Sequence, residues 1–300
     1  LYEKQNNYEK ALKIYLKLIQ INPNNLEVLN NYSGGLIKLG RLDEAKKILK
    51  KILKLNPKHI NAIINLGVIY KNENNFKKAI ENYTLAINLH PGHIIAHYNL
   101  GNVYENHAKL IEGTKQEVEK LNSAIYQYRK AIKSNPAYPK VYYNLGGVLD
   151  ELGQTSDAIL SYKQAIKHDP EYHSALYNLG RAQLALDDFK NGWKGYEGRE
   201  GGVQKYYKRI GIATDKIWDG KAFNGPLIVH AEQGIGDEVL YSSMFSDLFK
   251  CHKNLVISAD ERLIGFFQRS FPEIQFIIKK KDITLHSYSN NNAKHLLGHS

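Results

Sequence analysis

A period of 34 residues governs the first two-thirds of the sequence. Pro23, Pro57, Pro91, Pro136 and Pro170, three of them preceded by Asn, lie 34, 34, 45 and 34 residues apart. Ala45, Ala79, Ala124 and Ala158 keep the same intervals, and so do the pairs Leu66-Gly67, Leu100-Gly101, Leu145-Gly146 and Leu179-Gly180. Self-similarity at such a period marks stacked supersecondary units, each too small to bury its own apolar face.

Within a unit, Ile63, Leu66, Gly67 and Tyr70 share one helical face, and Ala79, Tyr83 and Ala86 share another. Each unit is therefore a pair of amphipathic helices. Small residues at the Gly67 and Ala79 positions let the two helices approach closely. Tyr83, Tyr128, Tyr162 and Tyr196 are expected to fill the gap between neighbouring hairpins, and proline ends the second helix. Five full units begin near Leu26, Ile60, Ile94, Pro139 and His173. A partial unit precedes them, entered at Tyr2 with most of its first helix absent, as expected of a sequence truncated at its start. The long interval of 45 places 11 extra residues around Glu105 to Lys115 in the fourth unit. Either the helices lengthen by three turns without rotating their packed face, or a hairpin protrudes there.

The pattern Leu-Gly and Tyr on a first helix, with Ala, Tyr or Phe, Ala and Pro on a second, resembles the tetratricopeptide repeat over residues 1 to about 200. In that family the first helices line an inner groove. Asn31, Asn65, Asn99, Asn144 and Asn178 recur just before the Leu-Gly position, so the resemblance implies a row of carboxamides along the groove. An amide offers a donor and an acceptor to any peptide group, whatever its side chain. The row is similar to that in the repeats of protein O-GlcNAc transferases, which holds the substrate chain. The alternative role is bonding within or between hairpins.

Composition narrows the function further. Cys251 is the single cysteine, which leaves neither a disulfide framework nor a thiolate zinc site and fits a cytoplasmic protein. No apolar run reaches the ~20 residues of a membrane span. The net charge of +11 suggests nucleic acid. However, the first hundred residues hold 15 basic against 7 acidic groups, and Lys46, Lys47, Lys50 and Lys51 fall on a solvated helix face without a stacking motif. His90, His93 and His97 have the spacing of metal ligands at a helix start, but no cysteine or carboxylate accompanies them, so no metal is expected.

After Leu186 the composition shifts. Gly192, Gly195 and Gly198 weaken the last helix, and residues 200–217 read as a linker. From Trp218 the pattern becomes strand and helix in alternation: strands at Leu227–Val229, Leu255–Ile257 and Ile274–Ile278, helices at Val239–Phe249 and Leu263–Phe271. The expected fold is thus mainly α, a solenoid over 1–199, followed over 218–300 by a partial α/β domain with a parallel, Rossmann-like sheet. The loop Glu232-Gln233-Gly234-Ile235-Gly236-Asp237 follows the first strand. Val239 stands where a dinucleotide fingerprint needs its third glycine, and Asp237 and Glu238 oppose a pyrophosphate.

A strand, a loop ending in Gly-Asp and a helix resembles the acceptor domain of heptosyltransferase-type glycosyltransferases. The wider pattern around Trp218-Asp219-Gly220 is similar to bacterial proteins that join tetratricopeptide repeats to such a domain. The resemblance implies Asp237 as general base toward an acceptor hydroxyl, Glu232, Gln233, Gly234 and Gly236 as the acceptor loop, and a nucleotide-sugar donor for a longer protein. The donor-binding half is absent, so the 300 residues alone hold no cofactor and should not turn over. An N-cap is the simpler role for Asp237. Two functions follow: a solenoid presenting a polypeptide for sugar transfer, or a non-catalytic scaffold for protein assembly.

Overall fold

The computed structural model describes residues 8–196, 212, 216–218, 220–230, 239, 241–279 and 293–297. Eleven helices fill the first of these spans: α1 (Tyr8–Ile21), α2 (Leu26–Lys38), α3 (Leu42–Leu55), α4 (Ile60–Asn72), α5 (Phe76–Leu89), α6 (Ile94–Lys109), α7 (Lys115–Ser134), α8 (Pro139–Glu151), α9 (Thr155–His168), α10 (His173–Leu184) and α11 (Phe189–Tyr196). The chain divides into two compact units, residues 1–175 and 176–300.

The period reappears as local chemistry at many of the helix boundaries. Asn25 and Asn75 cap α2 and α5 through side-chain oxygens that accept from the Val28 and Lys78 amides, while His59 and His93 do the same through Nδ1 for α4 and α6. At the other end, Asn22, Asn56, Asn135 and Asp169 each accept from the amide two residues on, forming the turn in which proline follows. Between the two helices of a hairpin the chain needs one left-handed residue. Gly40, Asn74, Gly153 and Asp187 supply it at the same repeat position, with φ of 74°, 55°, 72° and 61°.

The core of the first unit runs along the stack. Ala45, Ala79, Ala86, Ala124, Ala131, Ala158 and Ala165 are fully buried where second helices meet their neighbours. Tyr83, Tyr128 and Tyr162 lie against the glycine of their own hairpin, and Tyr83 also shares a core cluster with Ala96, Leu100 and Val103 of the next one. A methyl group on Gly67, Gly101 or Gly146 would stand 2.6, 2.5 or 2.6 Å from the ring carbon it meets.

The insertion takes both expected forms at once. α6 has 16 residues against 13 in α4, α7 has 20 against 14 in α5, and five residues join them. Growth occurs at the shared tip, so the Gly101–Tyr128 contact keeps the geometry of the other repeats. Thr114 caps α7, and Glu117 reaches back to the Gly113 amide.

In the second unit, α10 and α11 form the last hairpin. Gly192 and Gly195 are sites of close approach rather than simple weak points. A methyl group on Gly195 would lie 2.8 Å from the Gly180 Cα, and one on Gly192 would lie 2.6 Å from Leu184. Beyond them is a four-stranded parallel sheet of β1 (Leu227–His230), β2 (Leu255–Ala259), β3 (Gln275–Ile278) and β4 (Lys294–Leu297), in the order β3-β2-β1-β4. Within the expected helix at Val239–Phe249, Val239 and Tyr241 are helical, Ser242–Met244 form a 3-10 turn and α12 (Phe245–Cys251) follows; α13 is Glu261–Ser270. Phe245, Phe267 and Phe276 anchor the core between one sheet face and these helices. The fourth strand corrects the count of three.

Candidate functional site

Successive first helices approach one another, α2 with α4, α4 with α6 and α6 with α8, more closely than successive second helices do. The first helices therefore form the inner layer of the first unit, and the asparagine row lies on them. Asn31 is exposed on α2; Asn65, Asn99 and Asn144 are half-buried on α4, α6 and α8. Asn178, also half-buried, is on α10 in the second unit.

Two of these amides are fixed by the preceding repeat. Asn65 Nδ2 donates to Asn30 Oδ1 at 3.0 Å, and Asn144 Nδ2 donates to Asn102 Oδ1 at 2.8 Å, with the Tyr98 hydroxyl at 3.4 Å. Bonding between hairpins is thus real for Asn65 and Asn144. Each bond engages one end of its amide and holds the rotamer, which lowers the entropy of a further contact at the other end.

Around Asn144 the polar contacts extend into a chain. The Tyr128 hydroxyl lies 2.7 Å from Asn102 Oδ1 and 2.8 Å from Glu105 Oε2, and Lys109 pairs with Glu105 at 2.7 Å. Burial, and then Glu105, push the Tyr128 phenol far above its ordinary pKa, so it stays protonated and can donate. Glu151 at the end of α8 is raised by burial and by Glu105, Glu117 and Glu112. Tyr98 packs on Tyr138 at 5.6 Å between centroids, and Tyr143 on Tyr172 at 5.0 Å, so the fourth and fifth repeats have tyrosine walls beside their asparagines. These partners were not singled out in the sequence. The available signal was that Asn30, Tyr98, Tyr143 and Tyr177 directly precede row asparagines.

The histidines do structural work. His93 Nδ1 accepts from the Ala96 amide, and buried His97 bridges Gln127 Oε1 and the Pro91 carbonyl, both at 2.8 Å. Of the four lysines read as solvated, Lys46 pairs with Glu73 at 2.6 Å and Lys51 donates to the Pro23 carbonyl at 2.8 Å, so both tie adjacent repeats together. Glu232, Gln233, Gly234, Gly236 and Asp237 lie outside the described residues, as does the Tyr196 side chain. Among the described residues no helix is long and apolar enough to cross a membrane.

Tetratricopeptide repeat profiles match residues 2–66 and 36–91, and TPR repeat profiles match 119–153 and 148–187. Together these spans cover more than half of the chain. It belongs to the tetratricopeptide repeat family. Protein FlbA of Caulobacter vibrioides is 31% identical over 96 residues, which are 31% of this chain and 16% of FlbA. The chain thus matches about a sixth of that curated relative. Among solved structures, TTC0263, a thermophilic TPR protein in Thermus thermophilus, covers 61% of this chain with 94% of its own, at 21% identity and a TM-score of 0.51. MamA covers 59% with 96% of its own, at 24% identity and a TM-score of 0.49. The tetratricopeptide solenoid is followed by a small parallel sheet.

Proposed function

We propose that the repeat unit is a scaffold that holds an extended polypeptide segment along Asn31, Asn65, Asn99 and Asn144. The observation that carries this reading is the pre-bonded state of the row. Asn65 and Asn144 are each held by the preceding repeat, and the Asn99 side chain between them has no hydrogen bond among the described residues. Fixed amides beside an unengaged one offer a peptide backbone ready-made partners with little dependence on its side chains.

The test is capture of an immobilised library of extended peptides by the full chain and by a triple variant, Asn65→Ala, Asn99→Ala and Asn144→Ala. Binding should fall by about tenfold or more, the loss of one or two net hydrogen bonds. Capture unchanged in a folded triple variant would remove the groove from the account.

A second reading concerns residues 218–300, and the strand order favours it. With β2 and β3 on one side of β1 and β4 on the other, the carboxyl ends of β1 and β4 flank a switch point, where ligands of open parallel sheets bind. The segment containing Asp237 follows β1 directly. We infer an acceptor domain of glycosyltransferase type, with Asp237 as general base and a nucleotide-sugar donor bound elsewhere in a longer protein. In that protein, Asp237→Asn should abolish sugar transfer; retained transfer excludes Asp237 from the mechanism.

A further inference from the structure

Six tyrosines of the repeat unit stand in two files of three. In the first, Tyr98 on α6 packs on buried Tyr128 at 6.2 Å between centroids and on Tyr138 at 5.6 Å. In the second, Tyr143 on α8 packs on buried Tyr162 at 6.1 Å and on Tyr172 at 5.0 Å. Tyr98 and Tyr143 hold one repeat position, Tyr138 and Tyr172 another. Earlier repeats have Asn30 and Ile64 at the first position and His59 and His93 at the second, so the files begin only at the fourth repeat. The stack itself does not require tyrosine there. His59 and His93 cap their helices, whereas Tyr138 stands at the N-cap of α8 without a side-chain hydrogen bond to it.

The files flank the asparagine row. The Tyr98 hydroxyl lies 3.4 Å from Asn144 Nδ2, and Tyr98 and Tyr143 directly precede Asn99 and Asn144. Tyr128 and Tyr162 anchor the files in the core, while the other four rings are half-buried beside the row. The outer pairs are tilted by 57° and 37°, so neither covers itself face to face. Burial, and then the neighbouring tyrosines, raise the Tyr138 and Tyr172 phenols, the latter to about 12, so both stay protonated. Neither hydroxyl has a hydrogen-bond partner among the described residues.

We propose that the two tyrosine files bind a proline-rich segment in the polyproline II conformation, one proline seated at each file. The pitch favours this class. α6 and α8 are neighbours in the inner layer, and packed helix axes stand about 8–10 Å apart. A polyproline II helix turns once in about 9 Å, so prolines three residues apart meet successive files. A β-strand presents the same face every ~6.8 Å and falls out of step. The polyproline II backbone has no internal hydrogen bonds, which leaves its carbonyls for phenol donors, and proline brings no N–H in need of an acceptor. Such a segment is ordered before it docks on the aromatic surface, so little entropy is lost. This inference rests on the groove reading and narrows it: asparagines take the backbone, and tyrosines select proline.

The experiment is fluorescence anisotropy of two labelled peptides with the full chain, one of four Pro-Pro-Ser triplets and one of four Ala-Gly-Ser triplets. The proline peptide should bind about tenfold tighter. Serine is a good N-cap, so Tyr138→Ser combined with Tyr172→Ser, at the residues that open α8 and α10, should keep the fold. In that variant both peptides should bind with the same weak affinity. Equal affinity of the parent for the two peptides overturns the proposal and leaves the groove reading standing. A proline preference that survives both serines in a variant with unchanged unfolding midpoint also overturns it. Binding of neither peptide by the parent overturns both readings. A proline preference undiminished by Asn65→Ala, Asn99→Ala and Asn144→Ala supports the tyrosine files and removes the asparagine row.

Discussion

Tyr83 and Tyr128 occupy the same repeat position and the same glycine contact, yet their hydroxyls have opposite fates. The Tyr128 hydroxyl meets Asn102 and Glu105, whereas the Tyr83 hydroxyl is buried without a partner among the described residues. The positions that supply Asn102 and Glu105 are Val68 and Lys71 one repeat earlier. Removing a bonded hydroxyl strands its partners, while removing an unbonded one relieves a desolvation cost. Tyr128→Phe is therefore expected to destabilise by about 1–2 kcal/mol and Tyr83→Phe to be neutral or stabilising by up to about 1 kcal/mol, read from urea denaturation. The glycines opposite them have no such latitude. Gly101→Ala places a methyl 2.5 Å from the Tyr128 ring and should cost about 1–3 kcal/mol in the same assay. This contact was legible in part. The spacing paired small residues with tyrosines, but periodicity alone does not distinguish a ring packed within its hairpin from one packed between hairpins.

At the scale of elements, the 34-residue pattern located both helices of each hairpin because helix phase, cap and turn chemistry all repeat together. The left-handed position held by Gly40, Asn74, Gly153 and Asp187 also repeats and could have been read from the sequence. The sheet was less legible. β1, β2 and β3 have apolar runs, but β4 consists of Lys294, His295, Leu296 and Leu297 and gains its place by pairing with β1, a contact remote in sequence. The hydrogen bond that buried His230 and His295 share was illegible for the same reason, its partners being 65 residues apart. The insertion yields a prediction at this scale. Deleting Leu110–Lys120 restores a 34-residue repeat and retains buried Leu121, Ala124, Ile125 and Tyr128. The variant should still unfold cooperatively but lose about 1–2 kcal/mol, since Gly113, the left-handed residue of this hairpin, goes with the tip and Ala108 takes the position of Asn74. A collapse of the transition would show that the extension holds the fourth repeat together.

Across the whole molecule the two units should respond differently to acid. The folded pKa values of His230 and His295, about 3 and 4, lie below the ordinary value of 6.5, so the unfolded sheet unit binds protons more readily than the folded one. Its stability is complete above about pH 6.5 and falls as pH drops toward 4, by about 2 kcal/mol per histidine at pH 5. Hydrogen exchange at pH 7 and 5 should show β1 and β2 losing protection before α4, α6 and α8. The repeat unit carries the central claim, that a peptide lies along the first helices. A photo-crosslinking residue at Asn99, on the inner layer, is compared with one at exposed Thr84 on the second helix α5. With a captured library peptide added, the label at position 99 should join the peptide and the label at 84 should not; crosslinking at 84 without crosslinking at 99 would contradict the account.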